Sequence, residues 1–105
     1  MAPEERNFGS VMFKALANPA RLHILEVLAE GPASVNKIAE QVGLKQSMAS
    51  QHLSALLRAG VVVRRANGNV RIYSLRGQRI AQILMLVDEF YEVHLGSLQE
   101  LLSRR

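Results

Sequence analysis

Apolar residues recur three and four positions apart through Phe8, Val11, Met12, Ala15 and Leu16, which predicts an amphipathic helix over about 7–17, starting near Asn7. Asn18-Pro19 ends it and opens the next helix. Asn can accept a backbone N–H bond at the N-cap, and proline at the first helical position gives up only an orphan donor. The predicted buried stripe of this second helix is Leu22, Leu25, Leu28 and Ala29, and Gly31-Pro32 should close it with a left-handed cap and a breaker. Ser34 can cap a short third helix that buries Val35, Ile38, Ala39 and Val42 and stops at Gly43. A fourth helix follows from about Gln46, burying Ala49, Leu53 and Leu56 and ending at Ala59-Gly60.

Two helices joined by a tight glycine-containing turn, over about 34–59, read as a helix-turn-helix. The β-rich segment of about 61–75 reads as a hairpin, with Asn67-Gly68 as the two positive-φ residues of a type I′ turn and Val70 to Leu75 as the return strand. From about 78 to 103 one long stripe runs through Ile80, Ile83, Leu84, Val87, Tyr91, Leu95, Leu98 and Leu102. At 1.5 Å per residue such a helix is about 40 Å long, more than a small domain covers by itself. Its apolar face is therefore expected to continue into a second subunit, together with the first helix. The fold class is mainly α with a small β-hairpin: five helices plus a wing, in a single domain over 1–105. A chain of 105 residues leaves no room for a second core.

Composition excludes much chemistry. There is no cysteine, so disulfides, thiolate-bound zinc, iron–sulfur clusters and thiol switches are ruled out. No apolar run approaches the roughly 18 residues needed to span a bilayer, and Met1 to Asn7 carries Glu4, Glu5 and Arg6 without the layout of a signal peptide. A cytoplasmic protein with no membrane partner is the expectation. The net charge of +4 is modest, but its placement is not even: Gln41 to Val87 contains no Asp or Glu, while Lys45, Arg58, Arg64, Arg65, Arg71, Arg76 and Arg79 all fall there. That segregation gives one face a potential that attracts a polyanion.

The exposed face of the fourth helix is expected to carry Gln46, Ser47, Ser50, Gln51 and Ser54, short neutral side chains that can bond to base edges and phosphates. Its N-terminus also presents unsatisfied backbone N–H groups. Arg64, Arg65 and Arg71, with Asn67 and Asn69 at the hairpin tip, can lie along a duplex backbone or enter a minor groove. Charged residues guarding an exposed strand edge would be the plain alternative, although that use favours lysine.

The runs Lys14-Ala-Leu-Ala-Asn-Pro-Ala-Arg-Leu-His-Ile-Leu25 and Gln46-Ser-Met-Ala-Ser-Gln-His-Leu-Ser-Ala-Leu-Leu-Arg-Ala-Gly60, and the wing ending Ile72-Tyr-Ser-Leu75, together resemble the ArsR/SmtB family of bacterial winged helix-turn-helix repressors. The resemblance covers about Phe8 to Leu102. It implies a homodimer built on the first and last helices, with Phe8, Val11, Met12, Leu84, Val87, Tyr91, Leu95 and Leu98 at the interface, binding an inverted-repeat operator in double-stranded DNA. It also implies that Ser47, Ser50, Gln51 and His52 lie on the recognition helix, supported at the backbone by Arg21 and the wing arginines; Lys45, from the cationic stretch, is a further candidate DNA contact. Two recognition helices of such a dimer enter successive major grooves about 34 Å apart.

The departures from that family are informative. Many members sense metal through a Cys-x-Cys pair before the recognition helix, and the matching Ala33-Ser34-Val35-Asn36 offers no ligand. A second family site uses Asp and His pairs on the last helix, where Gly77, Arg79 and Phe90 stand here. The cysteines of sulfur-sensing members are missing as well. His94 with Asp88 and Glu92 is the only candidate metal set, and its spacing does not put three ligands on one face. No metal and no cofactor is therefore expected, and a small-molecule inducer has no visible signature. Two other readings compete with a repressor: a winged-helix interaction module for an acidic protein partner, and a metal-responsive repressor with an unfamiliar site. No nucleophile–base pair or phosphate-cradling loop can be assembled, which argues against an enzyme.

Overall fold

A computed structural model describes residues 3–104, with side chains for residues 7–97 and 99–104. Helices α1 (Pro3–Leu16) and α2 (Pro19–Ala29) lead into strand β1 (Ala33–Ser34), α3 (Val35–Val42) and α4 (Gln46–Arg58). Strands β2 (Val62–Asn67) and β3 (Val70–Leu75) follow, then α5 (Gln78–Ser103). Helix α1 begins at Pro3 rather than near Asn7. Proline in a first turn lacks only a donor with no intrahelical partner, so nothing stops the helix before Asn7.

Local capping follows the sequence at three of four helix ends. Asn18 Oδ1 accepts the Arg21 backbone N–H at 3.1 Å, and Ser34 Oγ accepts that of Lys37 at 3.2 Å. Gly43 closes α3 in the left-handed region at φ 77°, ψ 34°. The end of α2 differs from expectation. Its last turn tightens through Glu30 N–H to Val27 and Gly31 N–H to Leu28 carbonyls, and Gly31 sits at φ 150°, away from the compact left-handed cap.

Helix α2 is the hub, packing against α1, α3, α4, α5 and β3. So many neighbours widen its buried face beyond one stripe: Ile24, Leu25 and Leu28 are buried, Leu22 is half-buried, and Ala29 emerges exposed at the end. Around it lie Ile38, Leu53, Leu56, Val61, Val62 and Tyr73 in one core. Each fully buried aliphatic side chain contributes about 1.5–3 kcal/mol of transfer free energy.

The sheet has order β1-β3-β2, all antiparallel. Strand β1, absent from the sequence reading, pairs Ala33 with Tyr73 and Ser34 with Ile72. Two residues are too few to show alternation, and their pairing partner lies far along the chain. The hairpin turn is also displaced. Asn67 pairs with Val70, so the loop is Gly68-Asn69. Gly68 has φ 66° and no non-glycine residue among those described has positive φ, which excludes type I′ and fits glycine at the first loop position of a type II′ turn.

Helix α5 has the predicted limits, with a break at His94 (φ −109°, ψ 15°) beside Gly96-Ser97, the kind of pair at which helices bend. The Cα radius of gyration is 15.5 Å, against about 13 Å for a compact chain of this length. The excess comes from α5 reaching past the core.

Leu53→Ala should cost about 2–5 kcal/mol, because it empties a fully buried position between helices. Chemical denaturation checks this; a loss below ~1 kcal/mol would mean that the α4 packing is not what holds the core.

Candidate nucleic-acid interface

Burial of Ala49, Leu53 and Leu56 at positions i, i+4 and i+7 turns the opposite stripe of α4 outward. Ser47, Gln51 and Ser54 lie on that stripe and are exposed, as are Lys45 and Gln46 at its start, while Ser50 is half-buried. Helix α4 differs from α2 and α3 at its N-terminus: Lys45 occupies the N-cap and supplies no side-chain cap. Its first-turn N–H groups are left to solvent or a ligand.

The hairpin register sorts the wing arginines. Residues directly opposite in an antiparallel pair share a face, and successive residues alternate. Arg64 opposes the buried Tyr73, and Arg71 opposes Ala66, so Arg64 and Arg71 lie on the face that leads into the core. Arg65 opposes Ile72 on the other face. The three arginines are all exposed, but they are split between the two faces of the hairpin. Asn67 and Asn69 are exposed at the tip.

Between the wing and the start of α4 lies a cleft of about 350 Å³. Gln46 and Ser50 from α4 line it with Asn69 and Arg71 from the wing, joined by Ser34 at the end of β1 and Asn36 in the first turn of α3. The structure thus brings together two groups of residues separated in sequence. Strand β1 sets this distance, because it ties the wing strand β3 to the residues that open α3. Ser34 and Asn36 were not among the predicted site residues. Their part in the cleft depends on β1, whose pairing leaves no local pattern.

His52 is half-buried and turned toward α2, where its Nδ1 accepts from Arg21 Nε at 3.3 Å. It stands apart from the exposed stripe of Ser47, Gln51 and Ser54. That bond requires the ring proton on Nε2 and fixes the Arg21 guanidinium beside α4. Arg76, counted in the cationic stretch, is engaged by the backbone, since its Nε donates to the Gly60 carbonyl at 2.7 Å. Among the described residues the only ion pair is Arg104 with Glu100, far from this face. The cations around α4 have no carboxylate partner there.

A second surface is apolar. Among the described residues, every large exposed hydrophobic side chain except Met48 and Val70 is on α1 or α5. Phe8, Val11, Val87 and Tyr91 are exposed as the expected interface requires. Met12, Leu84 and Leu95 are instead half-buried, Met12 and Leu84 against the chain's own core. The Leu98 side chain lies outside the described residues. Leu86, Phe90, Val93 and Leu101 add a second stripe on α5, rotated roughly a third of a turn from the first. Their 4-3 spacing is visible in the sequence, but a single-stripe reading passes over it. His94 packs its ring on Phe90 with centroids 4.4 Å apart, and no group of three or more metal-ligating side chains occurs among the described residues.

These features define a winged helix-turn-helix: α3 and α4 carry the motif, and β2–β3 form the wing. The profile of the family described as "Bacterial regulatory protein, arsR family" matches residues 18–63. An HTH-type transcriptional regulator of Methanocaldococcus jannaschii, MJ1325, is 40% identical over 74% of this chain and 89% of its own length. The chain belongs to the ArsR family. Rv0081 of Mycobacterium tuberculosis, described as an uncharacterized HTH-type transcriptional regulator, is 49% identical over 69% of this chain. That match spans 64% of the relative's length. The crystal structure of Rv0081 superposes with TM-score 0.81 at 39% identity, covering 92% of this chain and 97% of the other. The solution structure of the homodimeric winged helix-turn-helix DNA-binding domain Mb0332 from Mycobacterium bovis also gives 0.81, at 35% identity over 88% of this chain and 85% of that one.

Gly68→Ala places a Cβ at φ 66° and should destabilise the turn by about 1 kcal/mol. Amide exchange in β2 and β3 should quicken while α2 stays protected. Unchanged exchange in the wing would show that the turn does not depend on the glycine.

Proposed function

We propose that this chain is a sequence-specific DNA-binding transcriptional regulator that works as a homodimer on an inverted-repeat operator and represses transcription by occupying it. The observation that carries the reading is the exposed, carboxylate-free stripe of α4 beside a cleft that contains wing residues. Ser47, Gln51 and Ser54 supply hydrogen-bonding groups for base edges in the major groove, while Gln46, Ser50, Asn69 and Arg71 hold the backbone that passes through the cleft. Arg21, Lys45, Arg64, Arg65 and Asn67 add contacts to phosphates at the margins.

Family membership supports this assignment, as does the homodimeric DNA-binding domain whose fold this chain shares. Dimerisation through α1 and α5 is supported by apolar side chains that a lone protomer leaves in water, with Phe13 64% and Val93 76% exposed. An open groove of about 280 Å³ between α1, α2 and α5, walled by Phe13, Leu16, Leu22, Ile83, Leu84 and Val87, extends that surface. An interaction module for an acidic protein would need the same cations but not the neutral, base-sized side chains of α4.

Selection of duplexes from fragmented genomic DNA should return a palindrome with half-sites about one helical turn apart. Gln51→Ala should lower the preference for that duplex over random DNA by roughly 1–3 kcal/mol; an unchanged ratio would remove Gln51 from base reading. Val87→Asp combined with Tyr91→Asp should yield a monomer by sedimentation and abolish operator binding. A dimer that persists would place the interface elsewhere.

A further inference from the structure

A third basic feature lies at the opposite end of α4 from the wing. A cleft of about 270 Å³ opens where α1, α2 and α4 meet, with Lys14, Arg21 and Arg58 around it and Ala15, Ala55 and Ala59 as its floor. Three cations from three different helices surround a floor of small side chains, and none of them is paired with a carboxylate among the described residues. Mutual repulsion makes such a set unfavourable unless an anion neutralises it. Arg21 is held through Nε by His52, which leaves its two terminal nitrogens available for an oxyanion.

We propose that Lys14, Arg21 and Arg58 form a phosphoryl-binding cleft that takes a phosphate of the operator backbone, on the far rim of the major groove from the wing. The inference rests on the regulator reading and extends it to Lys14 and Arg58. Position decides in favour of DNA as the source of the phosphate. Arg58 continues the stripe of Ser47, Gln51 and Ser54 at the same helical spacing, so the surface that meets bases runs directly into this cleft. Helix α4 has 13 residues and rises about 18 Å from end to end, whereas the major groove is about 12 Å wide. A helix crossing that groove has its two ends at the two phosphate rims. The wing cleft serves one end, and Lys14, Arg21 and Arg58 serve the other.

The test compares the full chain with Lys14→Gln, Arg58→Gln and the double variant, measuring affinity for the selected operator over a range of salt. Each single variant should weaken binding at a given salt, and the double variant should lower the log–log salt slope by about 1, the share of one phosphate. Arg58→Lys should retain the parent slope, as should Arg104→Gln, which removes a cation from the α5 end. Thermal melts show that the variants remain folded. A parent that prefers no duplex would defeat the regulator reading itself. A parent with a clear preference, joined by a double variant of unchanged slope, would overturn the cleft assignment alone. Inorganic phosphate, titrated without DNA at matched ionic strength, separates the sources. Amide shifts at Lys14 and Arg58 with an unchanged DNA slope would make the ligand a free phosphate and overturn the backbone assignment.

Discussion

The packing of one stripe of α4 against α2 and α3 governs the rest of this molecule. Ala49, Leu53 and Leu56 are fully buried against a core that includes Ile24, Leu25 and Ile38. Because a helix has a fixed period, burying that stripe determines which side chains face water. The neutral residues Ser47, Gln51 and Ser54 fall opposite, so a structural requirement and a recognition surface are set by the same rotation of one helix. A turn of that helix by one residue would expose leucine and bury serine.

Electrostatics then divides the molecule. The core provides shape, but the long stretch without Asp or Glu provides a surface where cations have no internal partners. One of the arginines near this face is nevertheless taken up by the fold, and another is oriented by it while its terminal nitrogens stay free. Arg76 fastens the base of the wing to Gly60, and Arg21 is oriented by His52. A basic region in a sequence therefore mixes residues that hold the protein together with residues that meet a polyanion. Only the hydrogen bonds distinguish them.

The apolar excess of α1 and α5 follows from size. A domain of about a hundred residues buries a limited fraction of its surface, and a helix of 26 residues extends beyond it. Two stripes on α5, one partly satisfied by the chain's own core and one not, explain why Leu84 turned inward while Phe90 and Val93 stayed exposed. The chain is complete as a fold and leaves apolar side chains of α1 and α5 in water.

Local rules were enough to read much of this from the amino acids. The caps at Asn18 and Ser34, the stop at Gly43, the buried stripe of α4 and the limits of α5 depend on neighbours within a few residues, and the pattern along the chain reports such neighbours directly. What the pattern did not reveal depends on contacts between distant segments. The pairing of Ala33 with Tyr73 sets the wing beside α3 and α4, register places Arg65 on a different face from Arg64 and Arg71, and the meeting of α1, α2 and α4 gathers Lys14, Arg21 and Arg58. Periodicity says which side of an element is buried. Only the tertiary structure decides which elements then lie side by side, because that choice is made by packing across the whole core.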